Sequence, residues 1–314
     1  MQGIQILGMG KALPARCVEN EELKQYVDTS DEWIRTRTGI ETRYFAEKET
    51  NLDLASEAAE NALKSAGIAP GQIGAVVIAT ITADYATPSA AALLQARLGI
   101  PEDVPAFDIN AACSGFVYGL NITSAMLGSD LLRRPYVLLI GVETLTRMLN
   151  LYDRGTAVLF GDGGAAAVIT ASDAHRFYGR LGSCGNKEAL NTPGLNQPDA
   201  FIHMDGREVF RFAVGAIKKG IHMMEEESGV FAEEIDYIVC HQANKRIIDN
   251  VRRSLKLKEE QFYINLTRYG NTSGGSVPLA LADMWEEGLL KEGTRIFAVG
   301  FGGGLTWACS YIEF

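Results

Sequence analysis

The residue types best suited to chemistry in this chain are one cysteine and one histidine, each set where a strand-like run turns into a helix-like one, and one asparagine at a loop-to-helix junction. Cys113 lies in FDINAACSGFVY, Phe107–Tyr118. Phe107-Asp108-Ile109-Asn110 alternates apolar and polar residues as a short strand does, and Phe116, Val117, Leu120 and Ile122 then follow a helical period. A cysteine in that turn sits near a helix N-terminus, where unpaired N–H groups and the dipole favour a thiolate. Small neighbours leave room for a substrate. The other reading is an inert, buried cysteine in a tight junction.

His241 opens HQAN (His241–Asn244) directly after the strand pattern Ile235–Cys240, and it is one of four histidines in the chain. Asn271 falls in RYGNTSGGS (Arg268–Ser276), a second loop-to-helix junction, and Gly302-Gly303-Gly304 follows a third strand pattern. Ligands of open parallel sheets bind beyond the carboxyl ends of the strands, which is where these residues would gather. Read for chemistry, the set is a thiol nucleophile, neutral donors and a loop whose N–H groups could face a developing oxyanion. Read without chemistry, it is a helix-cap histidine, a turn asparagine and a tight turn.

The elements that must position these residues recur. Gly67–Ile78 and Gly229–Cys240 share one plan of helix end, turn and strand, and a long helix precedes each. Phe107–Asn110 is echoed by Phe262–Asn265, Tyr136–Val142 by Arg295–Phe301, and Gly163–Ile169 by Gly303–Ile312. The alternation predicts an α/β fold of two pseudo-symmetric halves, 1–171 and 172–314, with mostly parallel sheets. Ala174–Pro198, rich in Gly, Asn and Pro, reads as a surface excursion between them. Gly8-Met9-Gly10 lacks the third glycine of a dinucleotide loop, and Pro14 follows too soon for a helix.

Composition narrows the classes further. A net charge of −10 argues against a global nucleic-acid binder. Five scattered cysteines without CxxC spacing argue against a disulfide scaffold or a metal site and fit a reducing cytosol. The N-terminal segment has no signal-peptide pattern, and no apolar run reaches the roughly 20 residues that span a bilayer. The expectation is a cytoplasmic protein with no membrane partner.

The combination AACSGF (Ala111–Phe116), HQAN, GNTSGGSVPLAL (Gly270–Leu281) and GFGGG (Gly300–Gly304) resembles the thiolase superfamily, and within it β-ketoacyl-acyl carrier protein synthase III. TSDEWIRTRTGI (Thr29–Ile40), DRGTAVLFGDGGAAAV (Asp153–Val168) and MDGREVFRFAV (Met204–Val214) extend the resemblance over essentially the full length. It implies a duplicated αβαβα sandwich, a homodimer and no resident cofactor, with coenzyme A thioester as substrate. It also implies a decarboxylating condensation of an acyl-CoA primer, acetyl-CoA by default, with malonyl-acyl carrier protein to begin fatty-acid synthesis. Cys113 would be the nucleophile, His241 and Asn271 the donors to the enolate, and the N–H of Cys113 with one from Gly302–Gly304 the oxyanion hole. The glycine-rich C-terminal loop lacks the second cysteine of reversible thiolases, since Cys309 lies beyond it. Asn271 stands where elongating synthases carry histidine.

The same resemblance places Trp33 and Arg147 on either side of the coenzyme A adenine, Thr29 at its edge and Arg37 near the phosphates. Asn244 and Gly206 would line the pantetheine tunnel with Phe210, and Asp205 would either narrow its mouth or face solvent. Lys245, Arg246, Arg252, Arg253 and Lys256, with Arg211, form a basic run in an acidic protein, either a solvated face or a dock for the acidic carrier protein. Lys245, Arg252 and Lys256 are spaced to share a helical face. Thr87 would border the acyl pocket across the dimer interface. Rival readings are a same-fold acyltransferase of secondary metabolism, a non-catalytic acyl-CoA or nucleotide-binding protein, and a cysteine hydrolase.

Overall fold

The computed structural model describes residues 2–194 and 199–314. The first half runs through β1 (Ile4–Ala12), a ribbon of β2 (Arg16–Glu19) and β3 (Thr42–Phe45) around α1 (Asp31–Thr38), and α2 (Asn51–Ala66). It continues with β4 (Ile73–Ala79), α3 (Ala90–Leu98), β5 (Ala106–Ile109), α4 (Gly115–Leu127), β6 (Tyr136–Glu143), the one-turn α5 (Arg154–Ala157) and β7 (Gly163–Ala171). The second half follows as β8 (Phe177–Ser183), a small pair of β9 (Leu190–Asn191) and β10 (His203–Met204), α6 (Gly206–Ser228), β11 (Tyr237–Cys240), α7 (Lys245–Leu255) and α8 (Leu266–Tyr269). It closes with α9 (Ser276–Glu286), β12 (Arg295–Gly302) and β13 (Thr306–Glu313).

The two main sheets have one topology. The first is ordered β1-β7-β6-β4-β5, the second β8-β13-β12-β11, with Phe262 bridging beyond β11 at the place that β5 holds in the first. The sheets are mixed, however, not mostly parallel. β4 pairs in parallel with β5 and β6, and β11 with β12, but β1–β7, β6–β7, β12–β13 and β13–β8 are antiparallel. A parallel step needs a crossover of a dozen residues or more, usually a helix, whereas β12 returns to β13 through Gly303–Leu305 alone. The excursion read at 174–198 is also corrected. Its first part is β8, the outer strand of the second sheet with Phe177 buried, while residues 195–198 lie outside the described ones.

Apolar patterning builds five layers. α2 and α3 cover the outer face of the first sheet, with Leu54, Ala58, Leu94, Ile78 and Ile140 between them. α6 and α7 cover the second sheet through Ile217, Ile221, Ile248 and Val251. α4 and α9 lie between the sheets, where Phe116, Leu120, Leu279 and Leu281 pack against strands of both halves. The layers therefore run αβαβα, and the central core belongs to neither half alone. No helix among the described residues is long and apolar enough to cross a membrane.

Candidate active site

The central layer brings two helix starts face to face. β5 ends at Ile109, a single 3₁₀ turn spans Ala112–Ser114, and α4 begins at Gly115. Its counterpart is the 3₁₀ turn Ser273–Gly275 leading into α9. Cys113 stands on the first turn, 8% exposed. β12 passes directly behind it, since a Cβ on Gly302 would lie 2.7 Å from Cys113 Cβ and 2.8 Å from its nitrogen. Only glycine allows that approach. The Gly303 N–H and the Cys113 N–H both reach the sulfur.

His241 and Asn271 are buried beside it, and each is held from behind. His241 follows β11, and its Nδ1 lies 2.5 Å from Ser276 Oγ, the first residue of α9. The Gln242 N–H donates to that same hydroxyl at 3.2 Å. Phe301 meets the imidazole edge-on at 5.0 Å between centroids. Asn271 Oδ1 accepts the Ser273 N–H at 2.8 Å, which turns the Nδ2 hydrogens of the amide away from the loop. One pocket of about 130 Å³ is lined by Cys113, His241, Asn271, Gly302, Gly206, Phe210 and Asn244. A roomier one of about 470 Å³ opens on the other side of the sulfur, against Ile81, Leu145, Met148, Phe160, Leu190 and Ile202.

The electrostatics correct one expectation. Burial pushes the Cys113 thiol up to about 11, with the nearby Glu143 carboxylate adding to the rise, so the helix start does not make a resting thiolate. Burial holds His241 down at about 3. At neutral pH the resting pair is thiol and neutral imidazole, suited to donating hydrogen bonds and not to an ion pair.

The sequence matches the family described as 3-oxoacyl-[acyl-carrier-protein (ACP)] synthase III over residues 107–183, and the C-terminal part of that family over 226–314. The β-ketoacyl-[acyl-carrier-protein] synthase III of Clostridium tetani is 43% identical over 99% of this chain and 98% of its own length. That of Clostridium perfringens is 43% identical over the whole of both. The chain belongs to the β-ketoacyl-acyl carrier protein synthase III family. The crystal structure of the Aquifex aeolicus 3-oxoacyl-[acyl-carrier-protein] synthase III superposes with a TM-score of 0.92 at 39% identity, covering 99% of this chain and 100% of that one. A priming β-ketosynthase of the R1128 polyketide pathway does so at 0.93 and 33%, covering 100% and 96%. The protein is thus a condensing acyltransferase with the duplicated thiolase-like fold.

Around the synthase III pocket, the remaining expectations divide. Trp33 lies on α1, whose N-cap Ser30 accepts the Trp33 N–H at 3.1 Å. Arg154, not Arg147, stacks over the Trp33 ring, 5.0 Å from its centroid, with Arg37 at 5.8 Å. Arg147 is turned away because Asp84 holds it at 2.8 Å and Glu49 O at 3.0 Å. Nothing local marks Arg154 within Asp153–Val168, because the cation–π stack needs two segments brought together by the fold. Thr29 stands just before α1, its hydroxyl buried without a partner. Asn244 caps α7 by accepting the Arg246 N–H at 2.8 Å, and donates to Arg37 O at 3.1 Å. Asp205 caps α6 through Arg207 and Glu208 N–H.

The basic run is α7 and its end. Lys245 and Arg252 both lean on Asp249, at 3.2 and 3.8 Å. Arg253 folds back on the Asp249 carbonyl. Lys256 does not share their helical face, because α7 stops at Leu255 and Lys256 turns left-handed at φ 57°. Arg246 is exposed beside the pocket rim, and Arg211 is exposed on α6. Thr87 is exposed on the loop before α3 and lines neither pocket of its own chain.

Proposed function

We propose that this protein condenses an acyl-CoA primer with malonyl-acyl carrier protein, releasing CO2 and coenzyme A and giving a 3-ketoacyl-acyl carrier protein. The observation that carries this reading is the convergence of Cys113, His241 and Asn271 on one narrow pocket, with two N–H groups behind the sulfur. Coenzyme A would enter past Trp33, Arg154 and Arg37, its pantetheine arm passing Asn244, Gly206 and Phe210. The sulfur of Cys113 attacks the acyl carbonyl, whose oxygen becomes an oxyanion between the N–H groups of Cys113 and Gly303. Coenzyme A leaves as its thiol, and the acyl chain extends into the larger apolar pocket.

In the second half, malonyl-carrier protein replaces coenzyme A and loses CO2. The charge moves onto its thioester oxygen, where Asn271 Nδ2–H and His241 Nε2–H receive it. This role needs the Nε2–H tautomer, in which Ser276 Oγ accepts the Gln242 N–H and donates its own hydrogen to Nδ1. Each such donor contributes about 3–4 kcal/mol in comparable sites. A neutral imidazole donates without adding a charge that would stabilise the starting carboxylate. The enolate carbon then attacks the acyl carbonyl and expels the Cys113 sulfur.

The exposed cations Arg246 and Arg211 would receive the acidic carrier protein. Pairing of two copies through the sheet-edge strand β5 would bring Thr87 of one copy toward the pocket of the other. No resident cofactor is required by this chemistry, and the free thiols of all five cysteines suit the cytosol. The decisive test is mass spectrometry after mixing the enzyme with acetyl-, isobutyryl- or octanoyl-CoA and malonyl-carrier protein. Acyl on Cys113, absent in Cys113→Ser, followed by a 3-ketoacyl-carrier protein is expected. Hydrolysis without carbon–carbon bond formation would overturn the proposal.

A further inference from the structure

Behind Cys113 lies a carboxyl group that the condensation described above leaves unused. Glu143, the last residue of β6, is completely buried. One of its oxygens is saturated: Oε2 accepts from Thr80 Oγ at 3.0 Å, Ile81 N at 3.0 Å and Thr82 Oγ at 2.6 Å. Asn51 of α2 braces both threonines from behind, at 3.1 Å each. The other oxygen, Oε1, has no partner. It points at the turn Ser273–Gly275, where a Cβ on Gly274 would lie 3.3 Å from it. The Ser273 hydroxyl stands within reach of both this carboxyl and the Cys113 sulfur, yet completes a bond of good geometry to neither. A buried acceptor left open at moderate cost, beside an open hydroxyl, asks for a reason.

We propose that Glu143, acting through Ser273, stores the proton of Cys113 between the two half-reactions. The proposal rests on the condensation described above and deepens it. When the sulfur attacks the acyl-CoA carbonyl, the S–H bond breaks and the S–C bond forms. The thiol proton passes to Ser273 Oγ as the Ser273 proton passes to Glu143 Oε1. The bond from carbonyl carbon to coenzyme A sulfur breaks, and that thiolate takes a proton from water. In condensation the enolate carbon bonds the acyl carbonyl, the bond to Cys113 breaks, and the stored proton returns by the same path to the sulfur. Glu143 begins and ends as carboxylate. It is a positioning residue, since it reaches the reacting sulfur only through Ser273.

The surroundings suit this use. The groups facing Glu143 are Thr80, Ile81 N–H and Thr82 from the end of β4 and its loop, Ser273 and Gly274 from the turn before α9, and Cys113; of these only Cys113 titrates. Burial raises Glu143 to about 7, against the pull of its hydrogen bonds, so the carboxyl can both take and return a proton at neutral pH. His241, held neutral and engaged with Ser276, is a poor resting base for the thiol.

The experiment separates the half-reactions in Glu143→Gln and Ser273→Ala. Alanine suits position 273 because the equivalent turn already carries Ala112 in the same backbone conformation. Transfer of acetyl from acetyl-CoA to Cys113, followed by intact mass across pH 5.5–9, should slow by about tenfold or more in both variants. The wild type should show an acid limb near neutrality, and both variants should lose it. Release of CO2 from malonyl-carrier protein by iodoacetamide-blocked enzyme, which depends on His241 and Asn271, should stay within about twofold. Wild-type acylation rate and pH profile in either variant would overturn the proposal, as would equal loss of acylation and decarboxylation. Failure of the wild type itself to acylate would instead sink the condensation reading.

Discussion

Ala112 and Ser273 hold the same left-handed backbone, at φ 46° and 49°, in the two copies of one strand-to-helix turn. Neither is glycine, and each turn ends against the other at the centre of the molecule. Cys113 directly follows Ala112 on the first turn, and on the second the Ser273 N–H holds the Asn271 amide through Oδ1 at 2.8 Å. Such conformations cost about 1–3 kcal/mol for residues with a Cβ, more when the residue is β-branched. Ala112→Val should therefore lower the unfolding free energy by at least about 2 kcal/mol and abolish acylation of Cys113. Thermal denaturation and intact mass read both, and an acylation-competent, equally stable variant would contradict it.

Arg154 and Arg147 offer a clean comparison at the proposed coenzyme A entrance. Arg154→Ala should raise KM for acyl-CoA about 3–30-fold with little change in kcat, the range of a cation–π stack between surface and desolvated strength. Arg147→Ala, which removes a contact to Asp84 and not to the tryptophan, should shift KM by less. Initial rates over a range of acyl-CoA concentrations decide, and a larger effect at Arg147 would return the adenine to that side.

Ser276→Ala should remove the hydroxyl that fixes the imidazole of His241. CO2 release from malonyl-carrier protein is expected to fall about 10–100-fold, while acetylation of Cys113 from acetyl-CoA changes little. Measuring the two half-reactions separately tests this. Equal loss in both would mean that Ser276 supports the packing of α9 only.

Arg246→Glu should weaken use of malonyl-carrier protein and spare acylation. Arg246 is exposed at the pocket rim, whereas Lys245 and Arg252 already face Asp249. The effect should shrink as salt is raised, since the Debye length falls from about 10 Å at 0.1 M to about 3 Å at 1 M. A salt-independent loss would argue against an electrostatic dock.

Two buried groups should impose opposite pH trends on stability. His241 titrates near 3 in the folded chain against 6.5 for the free side chain, so its contribution is full above 6.5 and is lost as pH falls toward 3. Glu143 titrates near 7 against 4.5, so its contribution is full below 4.5 and is lost as pH rises to 7. Between those limits the two slopes oppose each other, each at most about 1.4 kcal/mol per pH unit. Relative to wild type, the Tm of Glu143→Gln should climb with pH from 4.5 to 6.5, and that of His241→Gln should decline. Parallel curves for all three proteins would refute this pairing.

Local sequence determined a good deal here. Period and punctuation exposed the duplication, because two copies of one βα unit need the same apolar spacing and the same turn residues. They also placed Cys113 and His241 after strands and Asn271 in a loop leading into a helix. What a segment cannot carry is its surroundings. The protonation of Cys113 depends on how completely β12 and the 273–275 turn exclude water and on a carboxylate 30 residues away, so the helix start alone suggested the wrong state. Trp33 meets Arg154 and not Arg147 because Asp84, from a third segment, draws Arg147 off. The antiparallel strands escaped notice because strand direction follows from how short loops close, not from the pattern of the strand itself. Glu143 follows an apolar strand pattern and carries no local signal of a role; only packing from both halves puts its free oxygen against the turn Ser273–Gly275.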